Sequence, residues 1–379
     1  MRLLTLLAML CTGSLIAQTQ YEFIESEGVG KRELKIQLPR NYDENSDKHY
    51  PLIVVLNGDY LFEVTAGNVD YMAYWDDMPE AIVVGINQEN TQGDDFIISD
   101  VNHFPTQEGA TFFEFLGLEL VPYMQDNFRV AEFIVGVGHG ASANFINFYC
   151  FRKSPLFQAY ISLSPNLSLY MSDNLTERLS SINTPIMYYL STGGEDLKSN
   201  RNSIKALHEM LKTVENKYVD YYFDNFENAN HYTLVGEALP KALQHIFRVY
   251  QPISKVEYKN NIVTLDTSPV EYLIQKYDKI KTLFGIEKQI LTNDFRAIAA
   301  AINKNETYKY FEDLAKLAQK VYPETVLKNY YLGRYFEANN NIKRAIKAYQ
   351  EAYIYQEIDG ITKDDLLERA DQLKAEYGY

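Results

Sequence analysis

Five short apolar runs, separated by helical stretches, constrain the fold of this chain more than any other feature of its sequence. The runs comprise residues 52–56, 81–86, 133–137, 159–163 and 186–190. A run that is apolar throughout is typical of a parallel strand buried on both faces. Because such runs alternate with helical patterns, for example at 112–127 and 203–215, the sequence predicts an α/β fold whose mostly parallel sheet carries helices on both faces.

The two ends of this pattern differ from its middle. Residues 32–38 alternate between polar and apolar, which predicts an antiparallel strand at the edge of the sheet. Pro252 ends the last helix, 254–269 has the pattern of a linker with some strand character, and helical periodicity dominates from Val270 onward. The chain is therefore expected to comprise a sheet domain, a linker and an all-α domain, at 21–250, 251–269 and 270–379.

One stretch of the helical part has an internal period. The spacing of its small and large residues is that of a tetratricopeptide repeat, a two-helix unit of about 34 residues. The matching positions are Ala318, Pro323, Leu332, Gly333, Phe336, Ala345, Tyr349 and Ala352. They resemble about one and a half repeats. Because three or more repeats are normally needed for stability, we expect these helices to pack against the sheet domain or neighbouring helices. Two interpretations stay open: a docking surface for a peptide or protein partner, or a helical cap that only packs.

The N-terminus has the pattern of a secretory signal peptide over residues 1–17. Arg2 precedes an apolar stretch, and the small residue Ala17 stands where the chain turns polar. The stretch is shorter than the ~20 apolar residues that a spanning helix needs. A lipid anchor on Cys11 is the weaker alternative, because the bulky Leu10 precedes it. We expect export, to the periplasm or as a secreted protein, and a mature chain whose single cysteine, Cys150, forms no internal disulfide.

Charge and motifs exclude several functions. The formal net charge of −15 argues against nucleic acid, whose phosphates need basic partners, and against docking on anionic lipid. After the N-terminal stretch no apolar segment is long enough to span a membrane. The sequence contains no zinc-ligand spacing, no phosphate-binding loop and no dinucleotide-binding glycine motif after a strand, so it predicts neither a metal nor a cofactor.

Four segments carry a resemblance to a known family. They are 50–59, 82–87, 119–123 and 156–165. In this order they resemble the putative-esterase family, which includes ferric-enterochelin-esterase-like proteins and related carboxylesterases, over roughly 21–250. The resemblance implies an α/β-hydrolase fold and, where the site is intact, a serine carboxylic-ester hydrolase.

The family's nucleophile position is altered here. Such enzymes place a serine on a sharp strand-to-helix turn with the pattern Gly-His-Ser-x-Gly. Gly138 and His139 match this pattern, but Gly140 stands at the serine position and has no oxygen to attack a carbonyl. Ser142 would serve as the nucleophile if the turn shifted by two residues, although Asn144 would then crowd it. In the unshifted register Ser142 is a hydroxyl at the start of a helix.

The other positions that the resemblance implies are present. His231 would be the general base, and Asp196, preferred over Glu195, would orient its imidazole. Backbone N–H groups of Ala141 and of the turn at Asp59 and Tyr60 would form the oxyanion hole. The alternative is that His231 and Asp196 persist as a structural hydrogen-bonded pair.

Three hypotheses follow. The first is an exported esterase-like protein that has lost serine catalysis and binds an ester-like or glycan-like ligand in the former active site, or a protein on its helical repeats. The second is an active carboxylic-ester hydrolase that uses Ser142, His231 and Asp196. The third is a purely structural subunit.

Overall fold

The computed structural model describes residues 19–44 and 46–379. The predicted signal peptide, residues 1–17, lies outside the described residues. Among the described helices, none is both long and apolar enough to cross a membrane.

Eight strands form one sheet. Their bounds are Thr19–Ser26 (β1), Gly30–Gln37 (β2), Tyr50–Val55 (β3), Ile82–Ile86 (β4), Val130–His139 (β5), Ala159–Leu163 (β6), Ile186–Glu195 (β7) and Val219–Asn230 (β8). The strand order is β1-β2-β4-β3-β5-β6-β7-β8. Strands β3 to β8 pair in parallel, whereas β2 pairs antiparallel with both β1 and β4.

The helices of the sheet region follow the strands in alternation. They span Gly58–Tyr74 (α1), Gln92–Asp95 (α2), Glu108–Phe115 (α3), Val121–Asn127 (α4), Ala141–Asn147 (α5), Met171–Ser181 (α6), Lys198–Leu211 (α7) and Leu234–Ile246 (α8). A π-helical turn, Leu116–Leu120, joins α3 to α4. The predicted α/β fold with a mostly parallel sheet is therefore confirmed.

The five apolar runs form β3 to β7, and every residue of β3 and β4 is buried. The alternating run at 32–38 lies in β2, which is antiparallel as predicted. Its predicted place at the edge is wrong, because β1 pairs with its outer side. The strands β1 and β8, which form the edges of the sheet, are not predicted by the sequence pattern. Many of their residues stay partly exposed, so neither strand has the continuous apolar run of a buried strand.

The parallel strands bring three turns to one edge of the sheet. The β3–α1 turn, the β5–α5 turn and the end of β7 all follow the carboxyl ends of parallel strands. This edge is where open α/β sheets place their ligands.

The described residues divide into two compact units. One holds the chain up to Tyr71 together with Glu80–Val130 and Ile134–Ala242, and the other holds Met72–Pro79, Ala131–Phe133 and Leu243–Tyr379. The segment 251–269 shows no strand; it contains the short helix Lys255–Glu257 (α9) and a π-helical turn at Tyr258–Ile262. The domain boundaries drawn from the sequence stay a prediction.

The C-terminal part is all-α, as expected. Its helices span Pro269–Phe284 (α10), Thr292–Lys304 (α11), Tyr310–Val321 (α12), Leu327–Ala338 (α13), Ile342–Glu351 (α14) and Lys363–Tyr377 (α15). Gly333 on α13 faces the ring of Tyr349 on α14 so closely that a Cβ at position 333 would lie 2.1 Å from Tyr349 Cε1. A small residue is therefore required here for the two helices to pack. The tetratricopeptide assignment itself stays a prediction.

We predict that Gly333→Ala destabilises the helical unit by about 1–3 kcal/mol, the usual cost of overpacking a core. The ring of Tyr349 is 2% exposed and cannot swing into solvent without loss of packing. Gly236→Ala is the matched control, because Gly236 also lies in a helix but a Cβ there meets nothing within 4 Å. The control should be neutral or slightly stabilising. Chemical denaturation of both variants and of the wild type checks this. If Gly333→Ala were as stable as the wild type, the α13–α14 contact would be loose.

Candidate active site

The turn between β5 and α5 has the backbone of a nucleophile elbow. Gly140 has φ +61° and ψ −117°, a conformation that L side chains rarely adopt. Its N–H donates to Leu163 O at 3.0 Å, and its carbonyl accepts from Asn166 N–H at 3.0 Å. A Cβ on Gly138 would lie 2.6 Å from the backbone nitrogen of Ala143, so only glycine fits there. The strained turn is present although no serine occupies it.

Ser142 braces this turn from inside. The residue is fully buried, and its Oγ accepts from His139 N–H at 2.9 Å and donates to His139 O at 3.0 Å. Ser142 stands where the family pattern has its second glycine. Within the described part of the chain these backbone groups are its only hydrogen-bond partners, so the structure does not bring Ser142 to His231.

His231 and Asp196 form a buried hydrogen-bonded pair. His231 Nδ1 lies 2.9 Å from Asp196 Oδ1, and the aspartate side chain is fully buried. Asp196 also accepts from Thr192 Oγ1 at 2.9 Å and from Leu197 N–H at 2.8 Å. Burial acts to raise the pKa of Asp196, but hydrogen bonds from His231, Ser164, Thr192 and Leu197 together hold that pKa below its usual value. The carboxylate therefore stays ionised and keeps a proton on Nδ1.

Gly140 lies directly in front of the free nitrogen of His231. A Cβ at position 140 would lie 3.6 Å from His231 Nε2 and 3.7 Å from its Cε1, and among the described residues other than the two chain neighbours of Gly140 no further heavy atom lies within 4 Å. Since Nδ1 donates to Asp196, the lone pair of the imidazole is on Nε2. The structure thus brings the predicted site residues Gly140, His231 and Asp196 together at one edge of the sheet.

Ser164 supports the pair and was not singled out from the sequence. It is fully buried with φ +43°, and its Oγ lies 3.0 Å from His231 Nδ1. It follows β6, so the parallel sheet brings it to the same edge as the β5–α5 turn. In the sequence, the position of Ser164 directly after a buried strand places it at this edge of the sheet. No neighbouring residue indicates that it contacts His231.

His139 connects the elbow to the α1 turn. Its Nε2 lies 2.9 Å from His231 O, which can only accept, so His139 carries its proton on Nε2 and accepts at Nδ1 from the Tyr60 hydroxyl at 3.2 Å. Burial, and then repulsion from His231, lowers the pKa of His139 to about 4. Burial also raises the pKa of Tyr60 to about 12. Both groups are neutral at pH 7 and act as hydrogen-bonding groups.

The predicted oxyanion donors divide into two kinds. The N–H of Ala141, the first residue of α5, and that of Asp59, near the start of α1, have no acceptor among the described residues. Both lie at helix N-termini, which favour negative charge. Tyr60 N–H instead donates to Asn57 O at 3.1 Å, and its role as an oxyanion donor stays a prediction. Asp59 and Ala141 remain the candidates.

Across 19–44 and 46–379, no group of three or more His, Cys, Asp or Glu side chains is arranged to hold an ion. Cys150 is buried and unpaired, and burial raises the pKa of its thiol to about 12.

We predict that His139→Gln flattens the acid side of the stability profile. Folding lowers the pKa of His139 from 6.5 to about 4, so between these values the unfolded chain binds more protons and stability falls as pH falls. The full effect is at most about 3 kcal/mol. His49→Gln, which removes an exposed imidazole before β3, is the control. Urea unfolding at pH 7 and pH 4 checks this prediction. If wild type and His139→Gln lose the same free energy of unfolding between the two pH values, the prediction is refuted.

Comparison with known proteins fits this geometry. A family model described as Putative esterase matches residues 29–246. An uncharacterised protein from Capnocytophaga ochracea, known from a crystal structure, is 30% identical, covering 94% of this chain and 100% of that chain with a TM-score of 0.84. No curated protein gives a significant match.

More distant structures share the fold. An IroE-like serine hydrolase from Shewanella oneidensis is 18% identical, covering 80% of this chain and 99% of that chain with a TM-score of 0.60. The BES protein from Bacillus cereus is 24% identical, covering 60% and 94% with a TM-score of 0.53. With the family match over more than half of the sequence, this chain belongs to the Putative esterase family.

Proposed function

We propose that this protein is an exported member of the esterase family that forms no acyl-serine and binds an ester- or carboxylate-bearing ligand at the β5–α5 turn. The observation that carries the proposal is Gly140, which occupies the nucleophile position of an otherwise retained elbow. Export rests on the pattern of residues 1–17, and the final compartment is either the periplasm or the exterior.

The placement of Ser142 supports the loss of serine catalysis. A nucleophile must lie within hydrogen-bond reach of its base, whereas both hydrogen bonds of Ser142 Oγ hold the elbow backbone. To act, Ser142 would have to break these bonds and leave a fully buried position. The active-hydrolase alternative therefore requires a rearranged turn.

The ligand-binding part of the proposal rests on backbone N–H groups, which do not depend on the side chain at position 140. The Ala141 and Asp59 N–H groups lack acceptors among the described residues, and such donors bind a carbonyl or carboxylate oxygen without any nucleophile. His231 Nε2 adds a third polar group that faces the same turn.

The helical unit is proposed to contact a protein partner. It carries an open cavity of about 770 Å³ lined by aromatic and charged side chains, among them Tyr308, Phe311, Tyr330 and Arg334. Arg334 is held in place by Tyr330 Oη at 2.9 Å and by Asn303 Oδ1 at 3.0 Å. An ordered cation in a cavity of this size suits a peptide segment with an acidic or carboxylate group.

We predict that diisopropyl fluorophosphate, which phosphorylates activated serines, leaves the wild-type protein unmodified and labels Gly140→Ser at the new serine. The introduced Cβ would lie 3.6 Å from His231 Nε2, which places Oγ within reach of the base. Intact-mass and peptide spectrometry check both outcomes.

Gly140→Ala is the matched control for this experiment. It adds the same Cβ at the same positive φ but no oxygen, so it should stay unlabelled. Labelling of the wild-type protein at Ser142 would show that the active-hydrolase alternative is right.

We also predict that benzoate, the carboxylate product of benzoate ester hydrolysis, shifts the amide NMR signals of Asp59 and Ala141. Both N–H groups lack acceptors among the described residues and would gain one on binding. The Gly236 amide, on an exposed part of α8, serves as the reference that should not move. Unchanged signals at Asp59 and Ala141 up to high millimolar benzoate would refute a retained carboxylate site.

A further inference from the structure

We propose that His231 and Asp196 activate a water molecule directly, so that the protein hydrolyses reactive aryl esters slowly and without a covalent intermediate. This inference rests on the proposed function, since it requires that no serine occupies the nucleophile position. It assigns an activity to the altered site itself.

Space is the first requirement, and Gly140 provides it. Apart from the two chain neighbours of Gly140, the His231 ring is the only described group within 4 Å of the position that a Cβ at residue 140 would occupy. A water oxygen needs to lie about 2.7–3.0 Å from Nε2 to donate a hydrogen bond. The same volume in a serine hydrolase is filled by the serine Cβ and Oγ, so water takes the place of the attacking oxygen.

Orientation of the base is the second requirement. Nδ1–H is fixed on Asp196 Oδ1 at 2.9 Å and on Ser164 Oγ at 3.0 Å, which leaves Nε2 as the only lone pair of the ring. The packed ring of His139, with its centroid 4.3 Å away, limits tilting of His231 on one side. His139 donates its own proton to His231 O, so it does not compete for the water.

Other nearby groups are unsuited to this role. The Asp59 carboxylate accepts from Gln88 N–H at 3.0 Å. The Tyr60 hydroxyl donates to His139, and the Ser142 hydroxyl is bound to backbone at both ends. His231 is therefore the base to which the geometry points.

The reaction balances with water as the only co-reactant. Nε2 takes one proton from water as its oxygen forms a bond to the ester carbonyl carbon, and the carbonyl π electrons move to oxygen, held by the Ala141 and Asp59 N–H groups. The tetrahedral intermediate then collapses, the bond to the aryl oxygen breaks, and the imidazolium returns its proton to the departing phenolate or to solvent. The products are one carboxylic acid and one phenol, and the Asp196 carboxylate stabilises the imidazolium throughout.

The expected rate is modest. Enzymes whose triad residues are removed retain about 10³–10⁴-fold acceleration over water from the oxyanion hole and binding, and a positioned general base adds typically 10²–10⁴-fold. Aryl esters are the preferred substrates because a phenolate departs without a strong general acid. Alkyl esters should react far more slowly.

The test is hydrolysis of p-nitrophenyl acetate by the full-length mature protein. Wild type should show a linear time course without an initial burst, and mass spectrometry during turnover should show no acyl adduct. His231→Gln should lower the rate about 100-fold, whereas His49→Gln, which removes an exposed imidazole before β3, should leave it unchanged.

Gly140→Ala tests where the water lies. The added methyl group fills the volume in front of Nε2, so the rate should fall at least 10-fold without any acyl adduct. Gly140→Ser is the control for folding, because it adds the same Cβ to the turn. It should fold and form an acyl adduct at position 140. If Gly140→Ala does not fold, the His231→Gln comparison decides alone.

The outcomes separate this inference from the proposed function. Equal rates in wild type and His231→Gln, with no acyl adduct, would overturn water activation and leave a protein that only binds. An initial burst with an acyl adduct on Ser142 would overturn both. A rate that depends on His231 and falls in Gly140→Ala, without an adduct, supports water activation.

Discussion

The site depends on one backbone constraint, the left-handed turn at Gly140. The turn ends β5, starts α5 and brings the N–H of Ala141 and the open side of Gly140 to the same place. It is held by the 3.0 Å bond from Gly140 N–H to Leu163 O and by the close approach of Gly138 to α5. Because these contacts involve backbone, the turn persists whichever side chain stands at position 140. An L residue there would store strain of order 1–3 kcal/mol, and glycine removes it.

The survival of the His231–Asp196 pair has a physical reason that does not require catalysis. The Asp196 side chain is fully buried and ionised, and His231 is one of the groups that stabilise its charge. Removing one partner of a buried ion or hydrogen-bonded pair costs several kcal/mol, since the other is left uncompensated. The pair is thus stable whether or not it takes part in catalysis.

Much of the fold and of the candidate site could be predicted from the sequence, and the features that could not be predicted have identifiable physical causes. The strands β3 to β7 are predictable because each contains a buried, mostly apolar run, and the order Gly140, Asp196, His231 follows from the family pattern. The edge strands β1 and β8 were missed because partial exposure weakens the pattern. The role of Ser164 depends on tertiary geometry, because Ser164 follows β6 and contacts His231 beyond the end of β8. No local sequence pattern reports this contact.

Relative to the family pattern Gly-His-Ser-x-Gly, serine and glycine have changed places across the elbow. Glycine at 140 relieves the strain of the positive φ, and serine at 142 adds two hydrogen bonds to His139 backbone where the pattern has no side chain. Both features favour the folded state. Under the proposed function neither provides an oxygen that attacks a carbonyl, whereas His231 Nε2 and the N–H groups of Asp59 and Ala141 need no side chain at position 140. The proposed water activation requires only those groups, so a glycine at position 140 is compatible with chemistry at this site.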